Sequence, residues 1–242
     1  MISLLAAFQF LTILPLQMRR TLAPQELGRA AGWYPLVGLA LGAGLFGLRL
    51  GAGRFLPAAV AAIAVLIAWI ALTGALHFDG LIDTCDGVFG GWTPERRLEI
   101  MRDSRAGAFG VAGGGLLLLT KYAALTDLPA GSMALLFAPV LGRWAMVLAM
   151  FAFPYARELG LGRDVKDNVR RSHVALASGI TVASVFLAGW LGFAALVVTV
   201  AAVLLISAFL LRRLPGLTGD SYGALCEVVE ALVLIFFAVR WT

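Results

Sequence analysis

Charge is scarce in this chain: Asp, Glu, Lys and Arg make up 14% of its 242 residues, while 61% are hydrophobic and mean hydropathy is +0.92. So little charge excludes an ordinary water-soluble domain. Cysteine is almost absent, and Cys85 and Cys226 have no metal-ligand spacing around them. That excludes a zinc site and leaves two reduced thiols. No GxSxG, Walker A or GxGxxG run occurs, so a hydrolase elbow, a P-loop and a dinucleotide turn have no support. Alternating ten-residue segments are missing, which excludes a β-barrel. The first residues lack a basic n-region and a small-residue cleavage site, so a cleaved signal peptide is not expected. No internal repeat and no pair of broken helices stands out, which speaks against an inverted-repeat transporter.

What is present is long apolar runs. Crossing the hydrocarbon core takes roughly 20 apolar residues of helix. Trp33–Leu50, Phe55–Leu76, Ala108–Leu125, Ser132–Phe153, Val174–Trp190, Phe193–Leu211 and Ala224–Val239 meet or approach that length. Glycines recur within them, among them Gly42, Gly44, Gly47 and Gly113–Gly115, as close helix approach in lipid requires. The expected fold is an all-α polytopic membrane bundle of about seven spans, one domain over residues 1–242. Met1–Leu16 is apolar but interrupted by Gln9 and closed by Pro15. An eighth span, a re-entrant hairpin and an interfacial helix all remain open for it.

Assigning the loops alternately from Trp33 places Arg19, Arg20, Arg29, Arg96, Arg97, Arg102, Arg105, Arg157, Arg163, Lys166, Arg170, Arg171, Arg212 and Arg213 on one side. The other side receives Arg49, Arg54 and Arg240. The positive-inside rule makes the first side cytoplasmic, in the inner membrane. Nearly every acid lies on or near that side as well, Asp127 being the exception. The net charge of +5 then follows mainly from topology and implies no nucleic acid.

Asp79, Asp83 and Asp86 stand at i, i+4 and i+7, one face of a helix. Stacked carboxylates repel, and no basic residue at helical spacing offsets them. A cation is the economical remedy, and oxygen-only ligands point to a hard ion, Mg²⁺ or else Mn²⁺ or Ca²⁺. A solvated loop would mix Lys, Glu, Ser and Asn; here aspartates alternate with apolar residues and glycines at the end of a span, where ionisable groups are usually functional. Thr93-Pro94 reads as an N-cap with Pro at N1, starting a short helix to about Ser104. On it Glu99 and Asp103 lie four apart beside Arg102 and Arg105, which suits binding phosphate and metal together, although a salt-bridged surface helix explains Glu95, Arg96 and Arg97 equally well. Lys121 and Arg143 fall inside spans, each costing at least ~2.5–3.5 kcal/mol before pairing. Glu227 and Glu230 share one face of the last span, just after Gly216–Asp220. These four form either a structural ion-pair set or part of a polar cavity. His77 heads the aspartate run as a ligand or an interfacial residue, and His173 has no acidic company.

Three runs carry a resemblance: HFDGLIDTCDGVFGG from His77, RRLEIMRDSRAGAFG from Arg96 and GLTGDSYGALCEVVE from Gly216. In that order they resemble the signatures of the cobalamin synthase family, the adenosylcobinamide-GDP ribazoletransferases. FQFLTILPL near the start and the Gly32–Gly38 turn resemble it too, so the likeness covers most of the chain. Phe78, where Leu is more usual, and Ala106, at a bulkier position, are the departures, and neither touches a polar group. The resemblance implies a Mg²⁺-dependent enzyme of the cytoplasmic membrane. In that reaction a ribose hydroxyl of α-ribazole, or of its 5′-phosphate, attacks the cobinamide-linked phosphorus of adenosylcobinamide-GDP and GMP leaves.

The metal-holding set expected on this basis is Asp79, Asp83, Asp86 and Glu99. The substrate-binding set is His77, Arg102, Ser104, Arg105, Lys121, Thr218, Asp220, Glu227 and Glu230. Asp103 is assigned as base by analogy with CDP-alcohol phosphotransferases, whose last acid plays that part. The partners are the two substrates and the lipid bilayer, and a homo-oligomer is compatible with all of this. Two other readings compete. The missing Ala-Arg and the late GLTGD run tell against a CDP-alcohol phosphotransferase. A transporter using the intramembrane charges would move substrate without consuming a GDP-activated molecule.

Overall fold

The structure, a computed structural model, describes residues 2–15 and 21–239. Its helices are α1 (Ile2–Leu11), α2 (Pro24–Ala31), α3 (Tyr34–Ala52), α4 (Ala58–Leu72), α5 (Leu76–Gly90), α6 (Pro94–Ile100), α7 (Ala108–Asp127), α8 (Ala134–Ala152), α9 (Leu161–Asn168), α10 (Arg171–Val185), α11 (Gly189–Leu211) and α12 (Gly219–Ala238). No strand occurs among the described residues, only an isolated parallel bridge between Tyr155 and Leu217. The protein is an all-α polytopic membrane bundle, and each of the seven apolar segments is helical.

Five helical stretches are long and apolar enough to cross a membrane, six if α4 and α5 count as one broken span. One of the five, Arg171–Leu211, has 41 residues. Run straight it would extend about 60 Å, twice the hydrocarbon core. It does not run straight. Gly189 takes φ 57° after the short turn Phe186–Ala188, and Gly192 lies against the carbonyl of Val185, seven residues back. The helix breaks there, and α10 and α11 correspond to the two apolar segments expected from the sequence. Helix α1 has ten residues, about 15 Å of rise, too short to cross alone. It packs on α2 and α3, with Phe10 stacked on Tyr34 at 6.1 Å. Leu16, the end of that apolar segment, lies outside the described residues.

Helix α8 is the axis: α3, α10, α11 and α12 all pack against it, and most of its side chains are buried. Small residues make the approach possible. Pro139 has no N–H to bond the Leu135 carbonyl four residues back, and that carbonyl lies 2.7 Å from where a Cβ on Gly42 would stand. Gly142 meets α12 in the same way, a Cβ there lying 2.9 Å from Glu230.

Candidate active site

The acidic face sits on a bent pair. Gly74 and Ala75 are both left-handed, with φ of 59° and 58°, and α4 and α5 meet at 89°. Ala75 is the one non-glycine residue with positive φ among those described, which marks the turn as a position the surrounding structure imposes. Helix α5 then runs tightly along α12. A Cβ on Gly80 would lie 2.9 Å from the Asp220 carbonyl, and one on Gly223 would lie 3.0 Å from the His77 carbonyl.

The three aspartates of α5 turn out to differ. Asp86 accepts from the backbone N–H of Gly107 (2.7 Å) and of Gly110 (2.8 Å), donors at the start of α7. It satisfies orphan donors of that helix end and complements its dipole. A Cβ on Gly107 would sit 2.5 Å from an Asp86 oxygen, which explains a glycine there. Asp79 is exposed and Asp83 half-buried, and neither makes a hydrogen bond or ion pair with any described residue. Asp79, Asp86, Asp220 and the Arg157 guanidinium are the electrostatic neighbours of Asp83.

Asp220 arrives in the first turn of α12, whose N-cap is Thr218: its buried hydroxyl accepts from Ser221 N–H at 3.1 Å. Arg157 clamps the site, bonding Asp220 Oδ2 at 2.6 Å and the Met101 carbonyl at 3.2 Å. The sequence reading missed Arg157 as a site residue. It stands in a loop joined to the α12 cap by Leu217 N–H on the Pro154 carbonyl and Ala156 N–H on the Leu217 carbonyl, both 2.8 Å. Its placement on the arginine-rich side was the available signal.

Beyond Asp86 opens a cavity of about 550 Å³ lined by Asp86, Arg96, Glu99, Asp103, Arg105 and Gly107 among others. Thr93 caps α6 as expected, accepting from Arg96 N–H at 3.3 Å. Glu99 pairs with Arg96 at 2.7 Å on the exposed surface. Arg105 grips Asp103 through two side-chain bonds of 3.0 and 2.7 Å and a backbone bond of 3.0 Å. Those hydrogen bonds hold the Asp103 carboxyl down at about 2. Arg102 and Ser104 are exposed, their side chains make no hydrogen bond or ion pair among the described residues, and Arg102 does not line the cavity.

A second cavity, of about 210 Å³, lies at the head of α5 and is lined by His77, Asp79, Asp220 and Tyr222 with apolar neighbours. Glu227 and Glu230 line neither cavity. Lys121 Nζ bonds Glu227 at 2.7 Å and Glu230 at 2.6 Å, Arg143 pairs with Glu230, and Arg143 Nη2 lies 3.4 Å from His77 Nδ1. All are at least 94% buried, with Lys121 4.5 Å over the Trp69 ring. Two cations and two anions balance in an apolar medium, the ion-pair alternative left open by the sequence. The chain thus brings Asp79, Asp83 and Asp220 together, sets Asp86, Glu99, Asp103 and Arg105 around the larger cavity, and keeps Lys121, Glu227 and Glu230 behind both.

No three His, Cys, Asp or Glu side chains among the described residues converge into a ready metal cage. Mg²⁺ rarely uses one: it takes one or two carboxylates, keeps waters and completes its shell with substrate phosphates. Asp79 and Asp83, both with free oxygens, fit that mode. Asp86 retains a lone pair on each oxygen beside its backbone bonds.

Fold and site together define a class, a multi-pass helical membrane enzyme with its acidic face on a bent helix pair. The comparisons narrow it. The family model described as cobalamin-5-phosphate synthase matches residues 3–238. The adenosylcobinamide-GDP ribazoletransferase of Syntrophobacter fumaroxidans is 46% identical over 234 residues, 94% of each chain. That of Stutzerimonas stutzeri is 41% identical over 243 residues, 99% of each chain. That of Pseudomonas syringae pv. syringae is 42% identical over 239 residues, 96% of this chain and 97% of the relative. No solved structure matches. The chain belongs to the cobalamin-5-phosphate synthase family and is a transferase of cobalamin biosynthesis.

Proposed function

We propose that the chain transfers the cobinamide phosphate of adenosylcobinamide-GDP to a ribose hydroxyl of α-ribazole or its 5′-phosphate, with Mg²⁺, on the cytoplasmic face of the inner membrane. The observation that carries this reading is the pair of unpartnered carboxylates, Asp79 and Asp83, on the helix whose Asp86 lines an arginine-bearing cavity large enough for a nucleotide. The activity named for the relatives supplies the substrate. The arginine-rich loops supply the orientation.

The hydroxyl oxygen forms a bond to the cobinamide-linked phosphorus, the bond from that phosphorus to the GMP oxygen breaks, and GMP departs. Arg96 and Arg105, which line the larger cavity, bind phosphate oxygens there and stabilise the charge that develops on them. Arg105 leaving Asp103 for phosphate frees that carboxylate, which then accepts the proton of the attacking hydroxyl. Asp79 and Asp83 would hold Mg²⁺, which supplies charge neutralisation on the phosphoanhydride. Arg157 keeps Asp220 in place and ties it to the end of α6 through Met101.

Purified protein in detergent, given both substrates and Mg²⁺, should release GMP with no gradient and form the nucleotide-loop product. Transport of cobinamide across sealed vesicles without GMP release would overturn the proposal.

A further inference from the structure

We infer that the smaller cavity at the head of α5 seats the aromatic base of the acceptor nucleoside, with His77 donating to a ring nitrogen. The inference rests on the proposed transfer reaction and adds which substrate goes where.

The cavity measures about 210 Å³, below the ~300–1,000 Å³ of sites for drug-sized ligands. A macrocycle does not fit, and a bicyclic ring does. Met146, Met150 and Val165 make an apolar wall, with Asp79 and Asp220 lining the same space. Two buried polar atoms of lining residues have no partner among the described residues: His77 Nε2 and Tyr222 Oη, on side chains each 1% exposed. Buried polar atoms are normally satisfied, so each calls for a ligand atom.

The role of the His77 atom follows from its other nitrogen. Arg143 Nη2 faces Nδ1 at 3.4 Å, and a guanidinium only donates. Nδ1 therefore accepts, and in the neutral ring Nε2 carries the proton. The pocket offers one fixed donor and one hydroxyl that can do either. A flat apolar ring with a single acceptor nitrogen matches this, as in a substituted benzimidazole. Guanine, with several donors and acceptors around its edge, would leave polar atoms unpaired against the methionines. The guanine end of the donor substrate belongs instead to the larger, arginine-lined cavity. Asp79 and Asp220 then sit where the ribose of the acceptor emerges toward Asp83.

The test is binding of ribosides to the full-length protein in detergent, without donor substrate, followed by steady-state turnover. Benzimidazole riboside should bind at least tenfold more tightly than indole riboside, which has C–H where the acceptor nitrogen stands. In His77→Phe that preference should shrink to within twofold. Leu161→Trp enlarges a half-exposed lining residue, and it should raise KM for the acceptor at least tenfold while the donor KM stays within twofold. Equal binding of the two ribosides by the wild-type protein would overturn the inference, as would a Leu161→Trp effect shared equally by the donor. Absence of GMP release by the wild-type protein would instead strike the proposed reaction, leaving the binding preference to be judged by itself.

Discussion

Glu230→Gln keeps the shape of a side chain with no solvent exposure and removes its charge. In the native cluster Lys121 and Arg143 are balanced by Glu227 and Glu230. After the change Lys121 keeps Glu227 at 2.7 Å, but Arg143, 1% exposed, loses the carboxylate paired with it and retains only the His77 ring nitrogen at 3.4 Å. Breaking a buried pair from one side costs about 3–5 kcal/mol. That is roughly two to four orders of magnitude in the unfolding equilibrium. The assay is denaturant unfolding of purified protein in detergent, followed by loss of helical circular dichroism. The double change Arg143→Met with Glu230→Met removes both charges and leaves the balanced Lys121–Glu227 pair. Replacing a buried pair by apolar side chains is often neutral or stabilising, so the double variant should regain most of the loss. A single variant as stable as wild type, or a double variant no better than the single, would refute the charge-balance account.

Asp79→Asn and Asp83→Asn should each cut GMP release at limiting Mg²⁺ by at least a hundredfold while leaving helical content intact; near-normal turnover of both would remove the metal role. Arg105→Ala frees an exposed carboxyl now held at about 2, so the acid limb of kcat/KM attributable to Asp103 should climb from below the assay range by up to about two pH units, toward the ordinary ~3.9. An unmoved acid limb would exclude Asp103 as the base. Arg157→Met unclamps Asp220 and should lower turnover at least tenfold, whereas Asp127→Ala, at the last residue of α7, should not change it. Thiol labelling of cysteines introduced at positions 91, 165 and 218 should report the face opposite to that at 52 and 129; opposite faces for 91 and 218 would separate the acidic runs.

How much of this could be read from residues depends on the range of the interaction. The apolar runs imply helices because lipid leaves the backbone no other partner, and all seven segments are helical. The shared face of Asp79, Asp83 and Asp86 and the Thr93-Pro94 cap are local, set by the 3.6-residue turn. Charge balance offered Lys121 and Arg143, set inside spans, as partners for Glu227 and Glu230. The capping role of Asp86 was not readable: its donors are backbone groups 21 and 24 residues later, and backbone N–H leaves no mark on sequence. The 63-residue separation of Arg157 and Asp220 has no periodicity to betray it. The bend between α4 and α5 escaped because Gly74 alone marks it in a chain whose apolar runs carry many glycines, while Ala75 takes a left-handed conformation that ordinarily shows Gly or Asn.

Helix α5 joins the two halves of the molecule. Its first turn carries His77, held against Arg143 at the end of the buried ion-pair chain. Its next two turns carry Asp79 and Asp83, whose mutual repulsion would push them apart on a mobile segment. Gly80 and Gly223 lock the same helix against α12, the helix that also bears Glu227, Glu230 and Asp220. The charges buried in lipid therefore do more than neutralise one another. They anchor the one helix on which unpartnered carboxylates must stay close, and the loss of transfer on disturbing them should trace to displacement of that face before it traces to any direct contact with substrate.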